Sequence, residues 1–344
     1  MNKLSLSKLC TGLLFVAMMT SAAAQDNVTK VGTTAAKFLT IPVGARATAL
    51  GGAFAALAND ATAAYWNPGM LGRLEKNEIS FTHAKYFADL NLEFASAVFR
   101  WESFGTVAFS LLALNTGEML VTTVDDPEGS LGSTFDVGSY ALGLSYARSL
   151  TDKFAIGGTF KYIYENIARS QASGFAIDAG TIFTTPFSGI RLGVGISNFG
   201  QKLRISGADL LVQKDIDPSI RGNNESINAN LSTDAFDLPL NLRIGLAYDA
   251  MRSENSRLTV AIDALHPNDN SESLNAGAEW ALFKEFFALR GGYRNVFLSE
   301  NENSYTAGFG LQYRSESLRF RFDYAYAEQQ HLQGIHQFGF SIQY

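Results

Sequence analysis

Leu318-Arg-Phe-Arg-Phe-Asp-Tyr-Ala-Tyr326 alternates with a period of two. Leu318, Phe320, Phe322, Tyr324 and Tyr326 fall on one face of an extended chain, and Arg319, Arg321, Asp323 and Ala325 fall on the other. Leu240-Asn-Leu-Arg-Ile-Gly-Leu-Ala-Tyr-Asp249 repeats the pattern. One face is apolar and rich in aromatics, and the other tolerates full charges.

Extending the same reading outward gives strands at 77–87, 90–101, 104–115, 134–148, 152–166, 173–185, 188–199, 240–251, 256–266, 271–282, 285–296, 303–314, 316–327 and 334–344. Most run about 11 to 15 residues, beyond the usual five or six and in the range a tilted strand needs to cross a bilayer. The connections are an independent check. Those after even-numbered strands are tight, as at Glu102-Ser103 and Pro186-Phe187, whereas 116–133 and 200–239, after odd-numbered strands, are long and polar. Short turns on one rim and long loops on the other are the layout of an outer-membrane barrel, with both ends of the sheet on the periplasmic side. A soluble sandwich would show similar alternation, but not on strands this long with so aromatic an apolar face. The reading is therefore all-β: a 14-stranded antiparallel transmembrane β-barrel in outer-membrane lipid. The last segment, His336 to Tyr344, resembles the final-strand signal read by the barrel assembly machinery.

Composition agrees. The chain has 344 residues with 26 Phe, 13 Tyr, 3 Trp and 31 Gly, and a formal charge of −6, which argues against a nucleic-acid partner. Residues 1–24 read as a signal peptide: Lys3 and Lys8, an apolar stretch from Leu9 to Met19, then Ala22-Ala23-Ala24. The single cysteine, Cys10, lies within it, so the mature chain holds no disulfide, no thiolate nucleophile and no Cys-ligated metal. The histidines, His83, His266, His331 and His336, lack ligand spacing except for the five-residue interval of the last two, which reads as unligated, and no Ser–His pairing is recognisable. No enzyme, metal or cofactor is expected. Asp125-Asp126-Pro-Glu128 reads as a solvated turn rather than a Ca²⁺ loop.

Residues 25–76 precede the barrel of 77–344 and differ from it. Gly44 to Leu71 is Ala-rich, with Gly44, Gly51 and Gly52 at its start and Trp66-Asn67-Pro68-Gly69 at its end. Two short helices are expected, the second introduced by Asp60 and stopped by Pro68. Fourteen strands enclose more space than inward side chains fill, so this compact piece suits a hatch in the lumen, arriving from the periplasmic end. The inward face carries Lys161, Glu165, Asp178, Arg191, Arg243, Asp249, Asp263, Glu279, Arg290, Arg294, Arg319, Arg321 and Asp323. With both signs present, salt bridges between strands and to the hatch are the first expectation, and Arg46 is expected to pair with an inward carboxylate. Arg243, Arg290, Arg294, Arg319 and Arg321 are the candidates for ligand or hatch contacts.

Phe38-Leu-Thr-Ile-Pro-Val-Gly-Ala-Arg-Ala-Thr-Ala-Leu-Gly-Gly-Ala-Phe54, then Asn59-Asp60, then Tyr65-Trp-Asn-Pro-Gly69 resembles the amino-terminal signature of the PorV/PorQ family, a branch of the FadL-like outer-membrane proteins. Gly44, Arg46, Gly51, Gly52, Asn59, Asp60, Trp66, Asn67 and Pro68 carry the motif, and Gly69 departs from the more usual Asn-Pro-Ala. The resemblance implies a fourteen-stranded barrel with an amino-terminal hatch. It leaves two functions open. FadL-like proteins pass hydrophobic small molecules across the outer membrane by hatch rearrangement and a lateral wall opening, which calls for an apolar pocket above the hatch and a break in strand pairing. The namesake of the family serves type IX secretion, receiving an exported protein, and here loops 116–133 and 200–239 would engage that partner.

Overall fold

The computed structural model describes residues 31–344 except 218, 220–225, 299–303 and 330–332, so the signal peptide, Cys10 and His331 lie outside the described residues. The barrel opens with β1 (Glu78–Lys85), β2 (Asn91–Trp101), β3 (Gly105–Asn115), β4 (Val137–Ser149) and β5 (Phe154–Ile167). It continues with β6 (Ser170–Thr184), β7 (Arg191–Gly200), β8 (Asn241–Arg252), β9 (Ser256–Pro267) and β10 (Ser273–Leu282). It ends with β11 (Phe287–Val296), β12 (Ser304–Arg314), β13 (Arg319–Ala327) and β14 (Ile335–Gln343). Each strand pairs antiparallel with its neighbour, and β14 returns to β1 with Glu78 opposite Gln343 and Lys85 opposite His336. No edge is left open, as hydrocarbon demands of backbone groups that water cannot reach.

The two-residue period becomes two surfaces. Ile79, Phe81, Phe109, Leu142, Phe160, Leu246 and Phe340 are exposed on the outer face, while Ser80, Ser145, Asp178, Asp263, Glu279 and Asp323 are buried inside. The inner wall is divided as well. On β2 to β4 it is lined by Leu92, Phe94, Val98, Leu112 and Ala141, whereas charges gather on β5 to β13.

Connections after even-numbered strands are all short: 102–104, 150–153, 185–190, 253–255, 283–286 and 315–318. Those after odd-numbered strands include 116–136 and 201–240, which form their own small hairpins, Met119–Leu120 with Thr134–Phe135 and Leu211–Lys214 with Ile227–Asn230. The strand expected at 134–148 is thus two pieces divided at Asp136, whose carbonyl accepts the Ala168 N–H at 3.1 Å.

The amino-terminal segment runs through the lumen as a 3₁₀ turn (Lys37–Thr40), helix α1 (Ala45–Ala49), helix α2 (Ala63–Trp66) and a second 3₁₀ turn (Pro68–Arg73). α2 begins two residues later than expected: Thr62, not Asp60, is its N-cap and no side chain caps it, Asp60 instead accepting the Thr62 N–H at 3.1 Å in the turn before, and Pro68, lacking a donor, ends the helix. Phe38, Leu50, Phe54, Trp66 and Leu71 are buried in one cluster with Leu92, Phe94, Leu112 and Ile163 of the wall. Each large side chain so covered contributes about 1.5–3 kcal/mol.

The start of the described segment is held at the rim of the long loops. Ala35 N–H donates to Asp237 O at 2.9 Å, Thr34 Oγ1 to Asp269 at 2.6 Å and Lys37 Nζ to Asp269 at 2.5 Å, all at the long-loop rim. At the other end Ser149 Oγ donates to Gly72 O at 2.8 Å beside the short turns. The described chain therefore enters at the long-loop rim and descends, because acidic residues of two loops hold its start there.

Candidate functional site

The inner segment touches the wall where the wall has no side chains. A Cβ on Gly157 would strike Pro68 O, one on Gly180 would strike Asn67 Oδ1, one on Gly193 Ala55 O, one on Gly277 Leu50 O and one on Gly292 Gly51 N. These glycines sit on β5, β6, β7, β10 and β11, so backbone meets backbone along much of the ring. On β9 a carboxylate replaces the glycine: Asp263 Oδ2 accepts the N–H groups of Phe54 at 2.9 Å and Ala55 at 2.8 Å. Gly51 and Gly52 turn the chain after α1 with φ of 67° and 76°, where a side chain is strained.

Polar groups of the segment are used to hold it. Asn67, fully buried, donates to Ala55 O at 2.8 Å and Thr181 O at 3.0 Å and accepts the Gly69 N–H at 3.0 Å. Trp66 Nε1 donates to Val43 O at 2.9 Å, and its ring lies edge-on to Phe54 at 5.9 Å. Gly44, with φ 87°, lets Thr62 approach.

Arg46 anchors α1 to β10. Its Nε and Nη2 donate to the two oxygens of Glu279 at 2.8 and 3.0 Å, a bidentate pair that is strong because it is planar and shielded from water. Its Nη1 reaches Asp60 at 3.2 Å and also Asn59. Glu279 further accepts from Arg290 at 2.8 Å and Arg257 at 3.2 Å; Arg290 continues to Asp323 at 2.6 Å, and Arg321 reaches Asp60 at 3.3 Å.

Two spaces flank the segment. Toward the short turns lies a small one of about 70 Å³ lined by Arg46, Arg257, Glu279, Glu285, Arg319 and Arg321. Toward the long loops lies a cavity of about 210 Å³ lined by Tyr65, Trp66, Lys37, Lys161, Asp178, Asn198, Arg243, Asp269, Asn275 and Arg294 among others. It abuts an irregularity in the wall. The β6–β7 register skips between Ile177 and Ala179, with Asn198 at φ 63° and its N–H donating to Asp178 Oδ1 at 2.8 Å. This is a β-bulge facing the lumen.

A family model described as "Type IX secretion system protein PorV" matches residues 22–266. The chain belongs to the PorV family. It is an outer-membrane β-barrel. Among solved structures it is similar to the toluene transporter TodX of Pseudomonas putida, at 13% identity and a TM-score of 0.53, with 88% of this chain and 97% of that one covered. A TodX monoaromatic hydrocarbon channel carrying the deltaS2S3 mutation gives 13% identity and a TM-score of 0.52, covering 88% and 98%. At that identity the likeness shows the fold alone. No curated protein matches the sequence.

In this PorV-family barrel the candidate arginines do not form one group. Arg290 and Arg321 belong to the ionic network, and Arg319 lines the space beside the short turns. Arg243 and Arg294 line the cavity on the other side of the segment, Arg243 lying over the Trp66 ring at 4.4 Å. Tyr86, in the β1–β2 connection, borders the same cluster of apolar groups, and burial pushes its phenol up to about 12. The period of two marks Glu279, Asp263 and Asp178 as inward, but not as the groups that hold Arg46, the Phe54–Ala55 amides and Lys161. No local signal in the sequence could have done so.

Among the described residues no three His, Cys, Asp or Glu side chains gather as metal ligands. His266 lies 3.0 Å from Glu272, His83 lies 3.7 Å from Glu93, and His336 lies 2.8 Å from Tyr324 Oη. Asp126 is engaged within its own loop, accepting the N–H groups of Leu131 and Ser130 at 2.9 Å and the Ser130 hydroxyl at 2.7 Å. Those donors, the Leu131 amide foremost, hold its carboxyl below the usual carboxylate range.

Proposed function

We propose that this barrel conducts small, mainly apolar molecules across the outer membrane, with residues 25–76 acting as a hatch. The long loops face outward, so that the first described residues lie at the outer rim and the short turns face the periplasm. The observation that supports this most is the meeting of the 210 Å³ cavity with the β6–β7 bulge, which puts a space above the hatch beside an irregular stretch of ladder.

Transport of hydrophobic molecules leads one to expect an apolar pocket between hatch and upper wall and a break in strand pairing. The cavity instead mixes Leu39, Pro42, Ile196 and Leu265 with charged side chains, and the wall is closed. Both differences have the same source: the hatch brings its own polar groups to the upper lumen, and the bulge is sealed by Asp178 accepting the Asn198 N–H. In this reading passage requires the hatch to move.

A crosslink tests that motion. A Cβ on Gly339 of β14 would sit 3.6 Å from the Ala45 Cβ of α1, within the roughly 3.5–4.5 Å of a disulfide, and the mature chain has no competing cysteine. Toluene, named for a structural neighbour, is a suitable uncharged probe. Uptake by Gram-negative cells expressing Ala45→Cys/Gly339→Cys is expected to fall about tenfold on oxidation and to recover on reduction, as for other gated steps. Equal uptake in both redox states would rule out a moving hatch.

A second reading, engagement of an exported protein, is favoured by the family description and by the loops themselves. Val124, Leu131 and Ile216 are 99%, 83% and 67% exposed in connections 116–136 and 201–240, outside the span of the strands. Exposed apolar side chains clustered on a rim mark contact surfaces. Trimming 119–135 and 211–230 should abolish recovery of secreted proteins with the barrel from type IX-competent outer membranes; undiminished recovery counts against this role.

A further inference from the structure

We propose that the cavity between the hatch and the long-loop rim binds a small organic anion, a carboxylate or sulfonate on a body of about one ring, with Arg243 and Arg294 receiving the charged group. This rests on the transport reading for the importance of the cavity, and it assigns the class of ligand.

The charges around the cavity do not balance. Lys37 is paired with Asp269 at 2.5 Å and Lys161 with Asp178 at 2.6 Å, so both carboxylates of the lining are taken by lysines. The two remaining guanidiniums of the lining, Arg243 and Arg294, make no ion pair within 4 Å among the described residues. Arg294 makes no ion pair or side-chain hydrogen bond within the described residues, and Arg243 is held only against the Trp66 ring, its Nε without a hydrogen-bond partner. Asp263 also faces Arg243 electrostatically, but its Oδ2 accepts two hatch amides and neither its Oδ1 nor Arg243 Nε has a hydrogen-bond partner, so it does not form a direct pair with the guanidinium. An arginine cannot shed its charge, and a buried charge without an anion is costly.

The geometry around the arginines also favours a ligand. An arginine backed by an indole keeps its edge N–H groups free for a planar oxyanion, which it binds in bidentate fashion. Leu39, Pro42, Ile196 and Leu265 supply an apolar floor for the rest of the molecule. The volume of about 210 Å³ exceeds the roughly 150 Å³ that suffices for benzene in an engineered cavity, leaving room for a carboxylate beside one ring.

Benzoate, benzyl alcohol and benzylamine share that ring and differ in charge, so they make the test. The purified barrel in an uncharged maltoside is titrated with each, read by Trp66 emission and by saturation-transfer NMR of the ligand protons. Benzoate is expected to bind at least about tenfold more tightly than either analogue, the discrimination given by one charge-assisted bond. Arg294→Gln should bring benzoate to within about threefold of benzyl alcohol while Arg294→Lys keeps most of the preference, heat-modifiable mobility reporting intact barrels. Equal binding of benzoate and benzyl alcohol by the parent protein overturns the proposal, whatever the variants do. So does undiminished benzoate binding by an assembled Arg294→Gln barrel. Benzoate preference without uptake of any ring compound would sink transport and leave the anion site standing. Toluene uptake with no charge preference would do the reverse.

Discussion

Replacing Glu279 by Gln is expected to free the hatch from the wall while leaving the barrel assembled. Glu279 is 2% exposed and is the shared acceptor of Arg46, Arg257 and Arg290. The amide fills the same space but leaves three guanidiniums facing a neutral group. Breaking one partner of a buried pair costs about 3–5 kcal/mol, because the remaining charges stay desolvated without compensation. Asp60 and Asp323 offset part of this through Arg46 and Arg290. The ladder is unaffected, since Glu279 pairs with Thr259 and Arg290 through its backbone. The variant should keep heat-modifiable mobility, conduct ions in planar bilayers where the parent barrel is closed, and expose residues 45–74 to protease. Parent-like conductance and protection would show that the ionic network is not the tether.

Gly292→Val is expected to act on the same seam by volume alone. A Cβ at Gly292 would meet Gly51 N and Leu50 C of the hatch and, at 2.7 Å, Thr306 Oγ1. Two of these are backbone atoms that cannot rotate away, so the added methyl groups must lift the turn after α1 or distort β11. Overpacking of this kind costs about 1–3 kcal/mol, and here it is focused on the few contacts that seat the hatch. Conductance should rise as with Glu279→Gln. Gly291→Ala is the control: its nearest neighbour is Thr306 O at 4.0 Å, so closed parent behaviour is expected. An open Gly291→Ala barrel, or a closed Gly292→Val barrel, would contradict the seating described here. Val at Gly51 or Gly52 cannot separate a moving hatch from a fixed one, because both residues have positive φ and the substitution would strain the hatch in its seat. The reversible Ala45–Gly339 crosslink can.

Much of this was legible in the chain. Alternation marked all fourteen strands, usually within a few residues of their ends, because one face meets lipid and the other does not. The rim with short turns followed from connection lengths, and the pairing of Arg46 with an inward carboxylate followed from a lone charge in an Ala-rich segment. Other features were hidden. The rim at which residues 34–37 sit could not be read, because it is decided by Thr34, Ala35 and Lys37 meeting Asp237 and Asp269 more than 200 residues later. The separation of Arg294 from Arg319 was equally invisible, since both point inward and only their depth in the barrel differs.

The number of strands, the side chains that face lipid and the compact piece before the wall are all readable from the chain alone. These depend on neighbours along the chain and on a period of two. Folding in three dimensions is what brings Arg46, Arg257 and Arg290 to Glu279, makes Gly292 the seat of Gly51, and leaves Arg243 and Arg294 without a direct ion pair among the described residues. Closure of the ring and the stagger of its strands set which residues meet across the lumen, and no local pattern encodes that choice.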